Sequence, residues 1–147
     1  MEEKTSEILE NILSLLSLEG SFEVEEKSEG VFVSIDLAES GLLIGRGGET
    51  LSALQLIINL IVSRQLGEDS RRVIIDVSGW RRSKEEELAH KARGWAQKVL
   101  DTKEPMELLP MPAWQRRIIH MTIEGTSGVK SESVGEGAER HLVISPE

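Results

Sequence analysis

Gly41-Leu42-Leu43-Ile44-Gly45-Arg46-Gly47-Gly48-Glu49-Thr50 is the stretch that decides the fold of this 147-residue chain. Its tetrad 45–48 reads G-x-x-G and stands between a short apolar run and a long one, 51–62. Glycines at both ends of a tetrad let the backbone turn sharply and leave no Cβ between the chain and a ligand. The helix predicted behind the tetrad offers unpaired N–H groups and a positive dipole end. With the charge of Arg46 in front of it, this arrangement suits the phosphates of a sugar-phosphate backbone.

The tetrad alone is weak evidence, because two glycines three residues apart also occur in ordinary turns between helices. A P-loop needs Lys and then Ser or Thr after its last glycine, whereas Glu49 and Thr50 follow Gly48. A dinucleotide-binding loop needs G-x-G-x-x-G, but the sixth position counted from Gly45 is Thr50. Both of these phosphate-binding loops are therefore excluded, and the elements around the tetrad must decide.

The predicted order of elements around the tetrad is α-β-β-α-α-β. Helical spacing of apolar residues predicts a first helix over 5–18, with Gly20 at its end. Alternating apolar residues predict strands through 22–24 and 31–37, with a turn at 27–30, and a third strand over 71–77. A short helix over 40–44 and a long one over 49–66 flank the glycine loop. This resembles the type II (prokaryotic) KH domain, whose G-x-x-G loop clamps about four nucleotides.

The long helix 49–66 is predicted to be mostly buried. Apolar residues cover most of its circumference, and a narrow polar stripe of Ser52, Gln55, Asn59 and Ser63 remains at helical spacing. We therefore expect this helix to form the core of the first domain.

The second half of the chain carries Arg116-Arg117-Ile118-Ile119-His120 on a predicted helix. A spacing of four places Arg116 and His120 on one helical face. A guanidinium and an imidazole side by side can both donate hydrogen bonds to phosphate oxygens. A bare Arg-x-x-x-His is more often a solvated helix face, but here a long helix precedes it and two predicted strands follow. It resembles the R-three-H motif.

Together the two halves resemble the Jag (SpoIIIJ-associated, KhpB) family of bacterial RNA-binding proteins. The matching stretches are 41–51, 76–81, 116–120 and 133–137 with Arg140. The resemblance implies an α+β fold: a type II KH domain over 1–79, joined by a helix to a small α/β R-three-H domain over 80–147. Trp80 stands where relatives usually have tyrosine, and Gln115 where many have an acidic residue. Longer relatives carry a further N-terminal domain, so the chain is expected to be a short form.

Composition favours a compact cytoplasmic protein. The absence of cysteine excludes disulfides and thiolate metal sites, and no apolar run reaches the roughly 20 residues of a transmembrane helix. The acidic N-terminus does not fit a signal peptide. One Glu-x-x-His, 87–90, occurs where di-iron bundles need a pair, and no nucleophile elbow is present. We expect no catalytic residues, no metal site, no cofactor and no membrane insertion.

The net charge of −9 is unusual for a nucleic-acid binder. Residues 1–30 hold nine acidic and two basic residues, whereas 31–147 hold seventeen acidic and fifteen basic. The basic residues cluster over 64–84, which is compatible with a local basic face. A negative overall field weakens non-specific binding, so modest affinity is expected, together with a homodimer or a second KH protein as partner.

The sequence hypothesis is a non-catalytic binder of single-stranded RNA. The predicted binding residues are Ile44, Gly45, Arg46, Gly47, Gly48, Arg116, Arg117 and His120, with Leu43, Ile44 and the strand segment 72–75 as the apolar floor under the bases. The family resemblance implies post-transcriptional regulation linked to cell elongation or envelope growth, and a small single-KH protein as partner. Two alternatives stay open: a protein-interaction adaptor that binds no nucleic acid, and binding of single-stranded DNA.

Overall fold

A computed structural model describes all residues, 1–147, and divides them into two compact units, Met1–Arg82 and Ser83–Glu147. The helices are α1 (Glu2–Leu15), α2 (Ser40–Ile44), α3 (Glu49–Leu66), α4 (Trp80–Thr102) and α5 (Ala113–Glu124). The strands are β1 (Gly20–Lys27), β2 (Gly30–Leu37), β3 (Val73–Val77), β4 (Met106–Glu107), β5 (Val129–Val134) and β6 (His141–Pro146). The predicted mixed α+β class and the order α-β-β-α-α-β of the first unit are confirmed. None of the helices has the length and apolar character needed to cross a membrane.

The first unit is a three-stranded sheet with its helices packed on one face. β1 and β2 form an antiparallel hairpin closed at Lys27 and Gly30, and β2 runs parallel to β3. The strand residues that face the helices are fully buried, as the alternation of side chains along a strand requires. The core between sheet and helices consists of Val31, Val33, Ile35, Val73, Ile75 and Val77 from the sheet, with Leu9, Leu43, Ile58 and Val62 from the helices.

Among the predicted boundaries that differ from the structure, two have a clear physical reason. α1 ends at Leu15, because its buried positions end at Leu13 and the chain turns at Ser17, whose φ is +55°. Leu15 and Leu16, which the helical pattern assigned to the apolar face, are 85% and 52% exposed. β3 begins at Val73 rather than at residue 71, since Arg71 instead pairs with Glu26.

The prediction that α3 is mostly buried is wrong, because Leu56, Ile57 and Leu60 are 60%, 50% and 60% exposed. Gln55 and Asn59 turn inward, towards β3, whose free edge they satisfy. Asn59 Nδ2 donates to Val73 O at 2.8 Å and Asn59 Oδ1 accepts from Val73 N at 2.8 Å, while Gln55 Oε1 accepts from Ile75 N at 3.0 Å. Unpaired strand amides are costly to bury, so Gln55 and Asn59 lie inside, whereas Ser52 and Ser63 of the polar stripe are exposed.

The second unit packs α4 and α5 against an antiparallel sheet of order β4-β6-β5. Its core consists of Leu88, Ala92, Ala96, Val99, Leu108, Ile119, Ile123, Val129, Leu142 and Ile144. α5 buries Gln115, Ile119 and Ile123. Four-residue spacing then turns Arg116 and His120 towards β5, which positions the candidate site of this unit.

Candidate nucleic-acid interface

The G-x-x-G loop is a single tight turn between α2 and α3. Gly45, Gly47 and Gly48 have φ values of +72°, +59° and +82°, a region that side chains rarely adopt. A Cβ on Gly45 would collide with Thr50, and one on Gly48 would collide with the indole of Trp80. A Cβ on Gly47 would meet nothing within 4 Å. The two outer glycines are thus required by packing, and Gly47 marks the open side of the loop.

The backbone amides of Arg46 and Gly47 have no hydrogen-bond partner within the chain, although those of Gly45 and Gly48 donate to Gly41 O and Gly45 O. Both residues are exposed, and they stand directly in front of the 18-residue helix α3. Adjacent free amides at a helix N-terminus form a concave anion site. The exposed Arg46 side chain forms no ion pair in the chain, so its charge is available to the same anion.

The apolar floor predicted for this site is present only in part. Ile44 is half-buried against the core and Leu43 is 2% exposed, so Ile44 is the one with surface to offer. Two residues of the strand segment 72–75, Val73 and Ile75, have no surface to contribute, and the hypothesis is wrong for these two. Val73 and Ile75 are fully buried, and their amides are occupied by the side chains of α3.

In the second unit, β5 holds the predicted pair of α5. Arg116 Nη1 donates to Ser133 Oγ at 3.3 Å, and His120 Nδ1 lies 2.5 Å from Ser131 Oγ. His120 Nε2 is 3.2 Å from Glu124 Oε1. Arg116 Nε is buried without any hydrogen-bond partner. Because buried polar groups are nearly always paired, this donor is suited to a ligand oxygen or a water molecule.

A shallow pocket of about 320 Å³ gathers the basic residues of this unit. Its lining consists of Ala113, Arg116, Arg117, His120, Ser133, Arg140 and Leu142, with no carboxylate among them. Three guanidinium groups and an imidazole at one pocket can hold one or two phosphate groups. Arg140 was quoted for the family resemblance but was not predicted as a binding residue, and Ser131 and Ser133 were missed. Their contacts with Arg116 and His120 of α5 join a strand to a helix and have no local signal in the sequence.

The eight predicted binding residues thus form two groups, one in each unit, at 44–48 and at 116–120. The basic cluster predicted over 64–84 is neutralised in part. Arg71 pairs with Glu26 and donates to Lys27 O, and Lys84 lies 3.6 Å from Glu87 Oε1. Carboxylates of a strand and a helix therefore neutralise part of the cluster. The exposed Arg46, which forms no ion pair, is a better candidate for contact with a phosphate than Arg71 or Lys84.

Comparison with known proteins gives matches to both halves of the chain. The family model described as "KhpA/KhpB, KH domain" matches residues 2–75, and the model of the R-three-H domain matches residues 86–146. The RNA-binding protein KhpB of Bacillus subtilis (strain 168) is 36% identical over 139 residues, which are 93% of this chain and 66% of that protein. The RNA-binding protein KhpB of Clostridium symbiosum is 33% identical over 147 residues, 99% of this chain and 66% of that protein. This chain therefore spans about two thirds of the length of these curated relatives.

Proposed function

This chain belongs to the KhpB family, and from that premise we propose that it binds single-stranded RNA through its KH loop and its R-three-H helix, without catalysing a reaction. The two relatives above are named as RNA-binding proteins. The observation that carries the proposal is the pair of free amides at Arg46 and Gly47 in front of α3. A strand of about four nucleotides lies over residues 45–48, with its phosphates at these amides and at the Arg46 guanidinium.

The basic pocket of the second unit supports the same function independently. Arg116, Arg117 and His120 hold phosphates of a further stretch of RNA, and Arg140 adds a fourth donor at the pocket rim. Ser131 and Ser133 orient His120 and Arg116. Since these contacts go to phosphates, they fix the position of the strand without reading its sequence.

Binding is modest and sensitive to salt. The net charge of −9 opposes a polyanion, so the local donors must overcome an unfavourable field. For single strands, the slope of log K against log salt is about −0.7 for each neutralised phosphate. Loss of the Arg46 contact therefore reduces the slope by roughly 0.7, and loss of two basic residues of the pocket reduces it by up to about twice that amount.

The experiment that tests this function is fluorescence anisotropy with short labelled RNA and DNA at two salt concentrations. Arg46→Asp/Gly47→Asp is expected to weaken RNA binding at least about tenfold. The two new carboxylates repel the phosphates, and a side chain at position 47 distorts the glycine loop. Arg116→Ala/His120→Ala tests the pocket. Equal binding of RNA and DNA would show that no 2′-OH is read.

Two matched control variants are available in α4. Arg93 and Gly94 are adjacent and exposed, and a Cβ on Gly94 would meet nothing within 4 Å, so Arg93→Asp/Gly94→Asp repeats the charge change away from the loop. His90→Ala/Arg93→Ala repeats the loss of an imidazole and a guanidinium. If the folded variant Arg46→Asp/Gly47→Asp binds RNA as well as its control does, the proposal that residues 45–48 bind the RNA strand is wrong. A folded wild type that binds neither nucleic acid would favour the adaptor alternative.

The cellular role that we infer is post-transcriptional regulation in the cytoplasm, linked to cell elongation or envelope growth, with a small single-KH protein as partner. It rests on the family resemblance, not on a contact in this structure. The test is cell length and RNA co-purification in a strain whose only copy carries Arg46→Asp/Gly47→Asp. Unchanged cell length with RNA co-purification lost would separate RNA binding from any role in elongation.

A further inference from the structure

A second cavity adjoins the basic pocket of the second unit at His120. It has a volume of about 530 Å³ and is lined by residues 120, 123–131 and 147, which belong to the end of α5, the turn after it, the start of β5 and Glu147. We call it the turn pocket. His120 is the one residue that lines both cavities. A strand whose phosphate binds in the basic pocket therefore meets the turn pocket directly beyond the imidazole.

The two cavities differ in charge. The basic pocket contains three guanidinium groups and no carboxylate. The turn pocket contains two carboxylates, those of Glu124 and Glu147, and one ammonium group, that of Lys130. Carboxylates repel phosphates but accept hydrogen bonds from hydroxyl groups. The turn pocket is therefore suited to an uncharged part of a nucleotide, the sugar or the base, rather than to a further phosphate.

Both ring nitrogens of His120 are occupied within the chain. Nδ1 lies 2.5 Å from Ser131 Oγ, and Nε2 lies 3.2 Å from Glu124 Oε1. Because a carboxylate only accepts hydrogen bonds, Nε2 carries a proton and donates it to Glu124, while the Ser131 hydroxyl donates to Nδ1 of the neutral ring. A phosphate oxygen that binds His120 Nε2 takes the place of Glu124. The carboxylate is then left beside the phosphate without its donor.

RNA supplies a new donor to the displaced carboxylate, whereas DNA does not. In RNA the 2′-OH stands on the sugar carbon next to the one that carries the 3′-phosphate, so a donor and an acceptor lie side by side. Nε2 of His120 and the carboxylate of Glu124 present the complementary pair of acceptor and donor groups. Their own contact is readily exchanged, since the two side chains are 45% and 66% exposed and exposed ion pairs are weak. Acidic side chains bind ribose hydroxyls in the same way in dinucleotide sites.

We propose that Glu124 distinguishes RNA from DNA, by accepting a hydrogen bond from the 2′-OH of the nucleotide whose 3′-phosphate binds His120. Glu147 lines the turn pocket as well, but Glu124 is the carboxylate in contact with the imidazole. The proposal rests on the proposed function, because it requires a phosphate in the basic pocket. The carboxylate also repels the phosphates of both nucleic acids, so the ratio of RNA to DNA affinity, rather than either affinity, identifies its role.

The test is fluorescence anisotropy of the full chain with three labelled strands of one sequence: RNA, DNA and 2′-O-methyl RNA, which keeps the ribose but lacks the hydroxyl donor. We expect the wild type to bind RNA at least about fivefold more tightly than either of the other strands. In Glu124→Ala the ratio of RNA to DNA affinity should fall about fivefold. Glu132→Ala is the matched control, because Glu132 is exposed on β5 and lines neither cavity. It removes the same charge and should leave the ratio unchanged.

Glu124→Gln separates hydrogen bonding from charge. Its amide oxygen still accepts from the 2′-OH, so both nucleic acids should bind more tightly and the preference for RNA should persist. Glu124 is largely exposed at the end of α5, so neither variant disturbs the core. If Glu124→Ala changes RNA and DNA affinity by the same factor, Glu124 acts only through charge or through His120, and the proposal is wrong. A wild type that binds RNA and DNA equally overturns the proposal and leaves the proposed function standing. A wild type that binds neither overturns both.

Discussion

The indole of Trp80 occupies the space into which a side chain on Gly48 would project. Trp80 is half-buried against the first core, and it opens α4 directly after the turn at Gly79. Its contact with Gly48 makes it a support beneath the glycine loop, since the indole fixes how far the last residue of the loop can move inward.

Gly48→Ala is therefore expected to cost about 2–4 kcal/mol of unfolding free energy, because a left-handed φ and overpacking against the indole add up. Gly47→Ala, with a similar φ but open space around it, should cost only about 1–2 kcal/mol. Urea denaturation followed by circular dichroism measures both. In a Trp80→Leu background the difference between the two variants should shrink, and a difference that persists there would contradict the role of the indole.

The serines of β5 are expected to act on RNA affinity through the side chains they hold. Ser133→Ala and Ser131→Ala free Arg116 and His120 to adopt other rotamers, which should lower RNA affinity about two- to fivefold while stability changes by less than about 1.5 kcal/mol. Anisotropy titrations and denaturation on the same samples separate the two effects. Ser127→Ala, in the exposed turn before β5, is the control. Affinity equal to that of the control would show that the pair needs no support from β5.

Local patterns predicted most elements and both motifs, because turns, helical spacing and alternation are written in neighbouring residues. Positions 40–44 and 49–66, for example, were predicted as helices with the bounds that the structure has. The predictions that failed concern residues whose partners are distant in the sequence. Nothing near Asn59 in the sequence shows that Val73 needs a hydrogen-bond partner, so the inward role of Asn59 could not be predicted. Arg71 was counted as a free charge because Glu26 is remote in sequence.

The inward role of Asn59 can be measured directly. Asn59→Ala removes the hydrogen-bond partners of both Val73 N and Val73 O, which are buried at the edge of β3. The free energy of unfolding is therefore expected to fall by about 2–4 kcal/mol. Ser63→Ala, one turn later on the same helix and exposed, should change stability by less than about 0.5 kcal/mol. Hydrogen exchange of the Val73 amide gives a local readout. Unchanged protection of this amide in Asn59→Ala would show that the edge of β3 is satisfied in another way.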